Sequence, residues 1–172
     1  MKYLLTCVLL IFSTQLVNSQ SEPERKAYSE SNSIEGITRN TVYEQAKVTF
    51  INKYNKGNTP LRMNKNKGVL VGSGVYFYKT KSEPIMINYL VKMKINEAGY
   101  SLKVCDFYFE KGHGKKQLTG YIYQSNSIND KKAWSVEKKL RPTTSKIATI
   151  VTNDISATLD KLSQNAIVNR GE

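Results

Sequence analysis

The segment from Gly68 to Lys111 leaves this chain few folds to choose from. Three long runs, GVLVGSGVYFYKT (68–80), PIMINYLVKMKIN (84–96) and YSLKVCDFYFEK (100–111), are rich in β-branched and aromatic residues and alternate in two-residue steps. Such alternation puts successive side chains on opposite faces of a pleated strand. The runs are separated only by the turn-like Lys81-Ser82-Glu83-Pro84 and Asn96-Glu97-Ala98-Gly99. Connections this short join neighbouring antiparallel strands, because a parallel crossover needs a dozen residues or more. At about 3.3 Å per residue each strand spans about 35 Å, and LTGYIYQ (118–124) extends the meander as a fourth strand.

The alternation also sorts side chains by face. Ile85, Ile87, Tyr89, Val91, Met93 and Ile95 form one set, which reads as core, while Met86, Asn88, Leu90, Lys92 and Lys94 form the other. In the first run Val69, Val71, Val75 and Phe77 are expected inward, leaving Leu70, Tyr76 and Tyr78 outside. The third run changes parity between Val104 and Phe107, so a bulge near Cys105 and Asp106 is expected to keep both apolar sets on one face. Lys103 and Tyr108 then point outward.

The outer face therefore holds a candidate binding surface of Tyr76, Tyr78, Met86, Leu90, Lys92, Lys94, Lys103 and Tyr108. Aromatic rings interleaved with lysines suit an elongated anion. Tyrosine and lysine are also ordinary residues for a solvated sheet face, and Leu90 and Met86 are most directly explained by a covering element or partner.

Two helices flank the meander. Thr41-Val42-Tyr43-Glu44 fits a capping box, followed by Tyr43, Ala46, Phe50 and Tyr54 at helical spacing and a stop at Asn55-Lys56-Gly57. Pro60 opens a polar connection rich in asparagine and lysine. After an irregular basic stretch containing Trp134, the stripe Ile147, Val151, Ile155, Leu159, Leu162 and Ala166 predicts a second helix beginning between Thr144 and Asn153.

Residues 1–20 pair Lys2 with an apolar run from Tyr3 to Phe12 and a polar, small-residue end, the pattern of a signal peptide cleaved near residue 19 or 20. The run is shorter than the roughly 20 residues a bilayer span needs. Residues 21–172 then form a single domain with a loose polar start over 21–33, in which 28–34 can pair into the sheet. The expected location is the periplasm or outside the cell, without membrane insertion once the signal is removed.

The sequence shows no apparatus for catalysis. Cys105 is the only cysteine beyond the signal, so no disulfide can form within the exported domain. A pairing of Cys105 with His113, the only histidine, is disfavoured, since a strand cysteine usually acts as a small hydrophobe. Zinc would require several His or Cys ligands. The GHGKK stretch has Phe109 where a phosphate loop needs glycine and Lys116 where it needs Ser or Thr. GSG at 72–74 lies within a strand and suggests close backbone approach. No cofactor and no metal is expected. The formal net charge of +12 attracts anions at long range, although lysines dispersed this widely often serve solubility alone.

The stretches IEGITRNTVYEQAKVTFINKY, KGVLVGSGVYF and INYLVKMKINEAGYSLKV resemble a bacterial family of unknown function whose fold is like that of the TATA-binding protein (TBP-like). The matching features are Gly36 before the helix, Tyr43 and Phe50 on its stripe, and Ile87, Tyr89, Val91 and Met93 in the following strand, within a similarity over about residues 26–168. The resemblance implies an α+β fold of β-α-β-β-β-β-α order, with an antiparallel sheet of four to five strands and two helices on one face. It supplies no site residues. An exported chain seldom meets duplex DNA, so no nucleic acid is expected. The expected function is non-enzymatic binding of a protein or an anionic envelope component through the open sheet face. The alternative is a small-ligand carrier or enzyme with a pocket between helix and sheet.

Overall fold

The computed structural model describes residues 24–34, 36–112, 117–124 and 131–168. Residues 1–20, read from the sequence as a signal peptide, and His113 lie outside the described residues. The fold is α+β. Its elements are β1 (Ala27–Ser33), α1 (Arg39–Lys53), β2 (Arg62–Asn64), β3 (Val69–Tyr78), β4 (Ile85–Asn96), β5 (Gly99–Lys111), β6 (Leu118–Tyr121) and α2 (Lys131–Val168). The sheet is antiparallel with strand order β1-β5-β4-β3-β2. Because β4 runs along one edge of β5, β1 and β6 share the other: β1 pairs with 99–105 and β6 with 108–111.

Between those two pairings lies Asp106, at φ 54°, a left-handed conformation that Asp tolerates better than most residues. The register slips here, with Asn88 opposite Tyr108 and Leu90 opposite Cys105. This is the bulge expected from the parity change, and it keeps Tyr100, Leu102, Val104, Phe107 and Phe109 all buried beneath the helices. The β4 set Ile85, Ile87, Val91, Met93 and Ile95 is buried on the same side.

In β3 the expected facing is reversed. Leu70 pairs with Met93, Tyr76 with Ile87 and Tyr78 with Ile85, so these residues share the helix-covered face, and Leu70 is fully buried. Val69, Val71, Val75 and Phe77 lie on the outer face, with Phe77 61% exposed. The cause is Gly72 and Gly74 on the core face, where α1 comes down on Gly72 and the Tyr89 ring lies against Gly74. A Cβ on Gly72 would strike the Tyr54 carbonyl and lie 2.9 Å from Tyr54 Cβ, and one on Gly74 would lie 2.8 Å from Tyr89 Cε2. Apolar count favoured the valines, but room for the helix decides the face.

Strand β1 is polar yet belongs to the sheet. Tyr28 packs edge-on against Phe107 and its hydroxyl meets Thr144 Oγ1 at 2.8 Å, while Asn32 Nδ2 donates to Tyr100 OH at 2.9 Å. Within the polar connection after Pro60, β2 pairs with the start of β3.

Both helices start earlier than their sequence signals suggest. The N-cap of α1 is Thr38, whose Oγ1 accepts from Thr41 N at 3.3 Å. Thr41 is thus inside the helix, and Glu44 pairs with Lys65 Nζ at 2.7 Å instead of capping. The basic stretch around Trp134, read as irregular, is helical from Lys131, making α2 a 38-residue rod about 57 Å long. Its buried stripe runs Ala133, Glu137, Leu140, Thr144, Ile147, Val151, Ile155 and Leu159. Two of its positions are polar, which hid the periodicity. The buried Glu137 Oε1 accepts from Tyr123 N at 3.0 Å and from Arg141 Nε at 3.1 Å, and Thr144 Oγ1 donates to Arg141 O at 2.7 Å. Pro142 falls on the exposed side, where water can serve the carbonyl that loses its helical donor.

Candidate binding face

The face of the sheet away from the helices has two differently built halves, divided by the Asp106 bulge. Residue alternation in β4 and β5 places Lys92, Lys94 and Lys103 side by side on one half, all exposed. Lys92 stands directly opposite Lys103, an arrangement of like charges that costs stability by itself. Lys92 Nζ lies 3.5 Å from Asp106 Oδ2; Lys94 and Lys103 form no ion pair among the described residues. Around them the surface is low, since β1 presents Ser29 and Ser31 and β5 presents Ser101 to this side. The result is a shallow trough of about 300 Å³ with Val69 and Val71 along its β3 side.

The other half is a cleft of about 350 Å³. One wall is the chain leaving α1. Ser73 N donates to Tyr54 O at 2.7 Å, and Ser73 Oγ donates to Thr59 O at 2.7 Å, so residues 54–59 wrap the β3 edge and carry Asn58 and Thr59 onto the outer face. The opposite wall is Arg25, stacked 3.9 Å over the Tyr121 ring and 3.4 Å from Asp106 Oδ1. Desolvation works against the Arg25 charge, but Tyr121 and Asp106 outweigh it, and its pKa is raised. Asn88, Leu90 and Tyr108 line the cleft between the walls.

Of the eight residues expected on this face, Met86, Leu90, Lys92, Lys94, Lys103 and Tyr108 are there. Tyr76 and Tyr78 are not; they pack on the helix side, Tyr78 beneath Lys139 at 5.8 Å. Arg25, Asn58, Thr59, Ser73, Asn88, Asp106 and Tyr121 were not anticipated. Asn88 alone carried a signal, as a short amide within an outward set. Asn58 and Thr59 become wall residues through the chain wrapping the β3 edge, which periodicity does not reveal.

Cys105 is buried, and burial, reinforced by neighbouring Asp106, pushes its thiol pKa up. That is the reverse of an activated nucleophile. Among the described residues no group of His, Cys, Asp and Glu is placed to hold a metal ion. A groove between α2 and β1, about 390 Å³, is lined chiefly by hydroxyl and small side chains such as Ser145, Ala148, Thr149 and Thr152. No described helix is long and apolar enough to cross a membrane.

Residues 28–110 match the model of a domain of unknown function, DUF4468, with a TBP-like fold. Those residues belong to the DUF4468 family. A TBP-like protein from Parabacteroides distasonis superposes with a TM-score of 0.62 at 17% identity, covering 79% of this chain and 93% of that one. A DUF4468 protein from Bacteroides ovatus superposes with a TM-score of 0.58 at 13% identity, covering 86% and 94%. At such identities the likeness establishes the fold alone. The search of curated proteins gave no match. The DUF4468 match takes in β1 through most of β5, including the three lysines and the floor of the cleft, whereas Arg25 and Tyr121 lie outside it.

Proposed function

We propose that this protein is an exported, non-enzymatic binding domain that engages an anionic partner in the cell envelope through the lysine half of its outer sheet face. The observation that carries this reading is the cluster of Lys92, Lys94 and Lys103. Register fixed by the buried side of the same strands forces two of these lysines into direct opposition. Opposed like charges become favourable when an anion lies between them, and the low serine surface beside them leaves it room. Export rests on the N-terminal sequence pattern, and the non-enzymatic reading on the lack of a recognisable catalytic motif in the sequence and on the burial of Cys105.

The test is retention on immobilised dextran sulfate as a function of salt. Retention should fall steeply with ionic strength, and the triple variant Lys92→Gln, Lys94→Gln, Lys103→Gln should lose most of it. Neutralising the exposed Lys79, Lys81 and Lys146 removes the same charge elsewhere and should cost much less. Equal losses in the two triples would reduce the effect to net charge and defeat the proposal.

A further inference from the structure

The polar cleft on the other half of the outer face makes a demand the lysines do not meet. Asn88 is only 6% exposed. Its Nδ2 donates to Glu110 Oε1 at 3.1 Å, a carboxylate that also accepts from Asn58 Nδ2 at 3.3 Å and Gln117 Nε2 at 3.2 Å. An ionised carboxylate only accepts, so this contact fixes which end of the amide faces Glu110. The other end, Oδ1, is buried and has no hydrogen-bond partner. Buried polar atoms are nearly always paired, so an exception beside a cleft calls for an explanation.

We infer that the cleft binds a neutral, hydroxyl-rich small molecule of about the size of a single sugar ring, one of whose hydroxyls donates to Asn88 Oδ1. This shares with the proposed function the assignment of binding to the outer face, but it uses different residues. The cleft volume of about 350 Å³ lies at the small end of the roughly 300–1,000 Å³ usual for small-molecule sites. Charge selects against ionic ligands. A cation would face Arg25, which already occupies Asp106, in a chain of net charge +12. An anion would face the Asn88 acceptor, with Asp106 close by. Ser73 cannot turn to the ligand without giving up Thr59, since its Oγ both donates to Thr59 O and accepts from Thr59 N. What remains is an acceptor with no partner, on the residue opposite Tyr108, whose ring stacks edge-on with Tyr121 at 5.1 Å. Hydroxyls and C–H groups of a saturated ring answer both.

Glucose, glucosamine and glucuronate share one ring and differ in charge, so titrating each into the isotope-labelled protein and following side-chain resonances tests the inference. Glucose should shift the Asn88 amide and the Tyr108 and Tyr121 rings saturably at millimolar concentrations, and the two charged sugars should bind at least threefold more weakly. Asn88→Leu removes the unpaired acceptor, so it should weaken glucose binding at least tenfold while leaving the melting temperature unchanged or higher. Should that variant fail to fold, Tyr108→Ala serves, with a loss of at least fivefold. The absence of saturable glucose shifts, tighter binding of either charged sugar, or undiminished binding in the folded variant would overturn the inference. The triple lysine variant should titrate with glucose as the parent does, and Asn88→Leu should be retained on dextran sulfate as the parent is. Failure of one site is thus distinguishable from failure of the other.

Discussion

Strand β4 has one alternation and two fates. On its helix side Ile85, Ile87, Val91, Met93 and Ile95 are buried in a core shared with both helices, whereas on its other side Lys92 and Lys94 are exposed and Leu90 is half-buried. The two faces differ in what crosses them. Helices α1 and α2 lie over one, and on the other, among the described residues, the 54–59 segment and the Arg25–Tyr121 wall rise above the strands. Alternation in a strand says that its faces differ; it does not say how much of the second face neighbouring chain will cover.

The contrast is open to direct attack. Phe107→Ala removes a fully buried ring from the covered face and should cost about 3–5 kcal/mol in urea unfolding. Leu90→Ala on the open face should cost about 1 kcal/mol or less, and a comparable loss there would make the outer face a second core. Gly72→Val tests the reversed facing of β3. A side chain there meets the α1 terminus and should cost about 1–3 kcal/mol or more, while Val71→Thr on the open face should be nearly neutral.

A third test uses pH. Burial, with Asp154 nearby, pushes the Tyr89 phenol up to about 12 from its ordinary 10.0. The unfolded chain therefore releases this proton first. The stabilisation is complete below pH 10 and is lost as pH climbs through 12, by about 3 kcal/mol in all. Tyr89→Phe should flatten that part of the stability profile. The smallest effect expected is at the start of α1. Thr38→Ala should cost about 1 kcal/mol, and Glu44→Ala, at an exposed ion pair, less than that; the reverse order would restore the Thr41–Glu44 cap.

The sequence made the meander, its turns, the Asp106 bulge and the buried face of β4 legible, because period-two patterning and short connections are local properties. It failed wherever a contact between distant segments decides the outcome. The facing of β3 is set by α1 resting on Gly72 and the Tyr89 ring lying against Gly74, not by the greater apolar count of its valines. The early start of α2 was hidden because Glu137 and Thr144 occupy its core stripe, where Tyr123 and Arg141 supply partners to Glu137 Oε1 and Tyr28 to Thr144. The lysine half of the outer face followed from alternation alone. The cleft did not, since its walls come from residues 25, 58–59 and 121, which only the folded chain brings together.

The central claim is that the open face, and not the helix layer, meets the partner. Resonance mapping of the isotope-labelled protein with dextran sulfate addresses this most directly. Shifts should concentrate at Lys92, Lys94, Ser101 and Lys103 and fade as salt is added. Shifts centred instead on Lys138, Lys139 and Lys146 of α2, with the three sheet lysines unmoved, would contradict it.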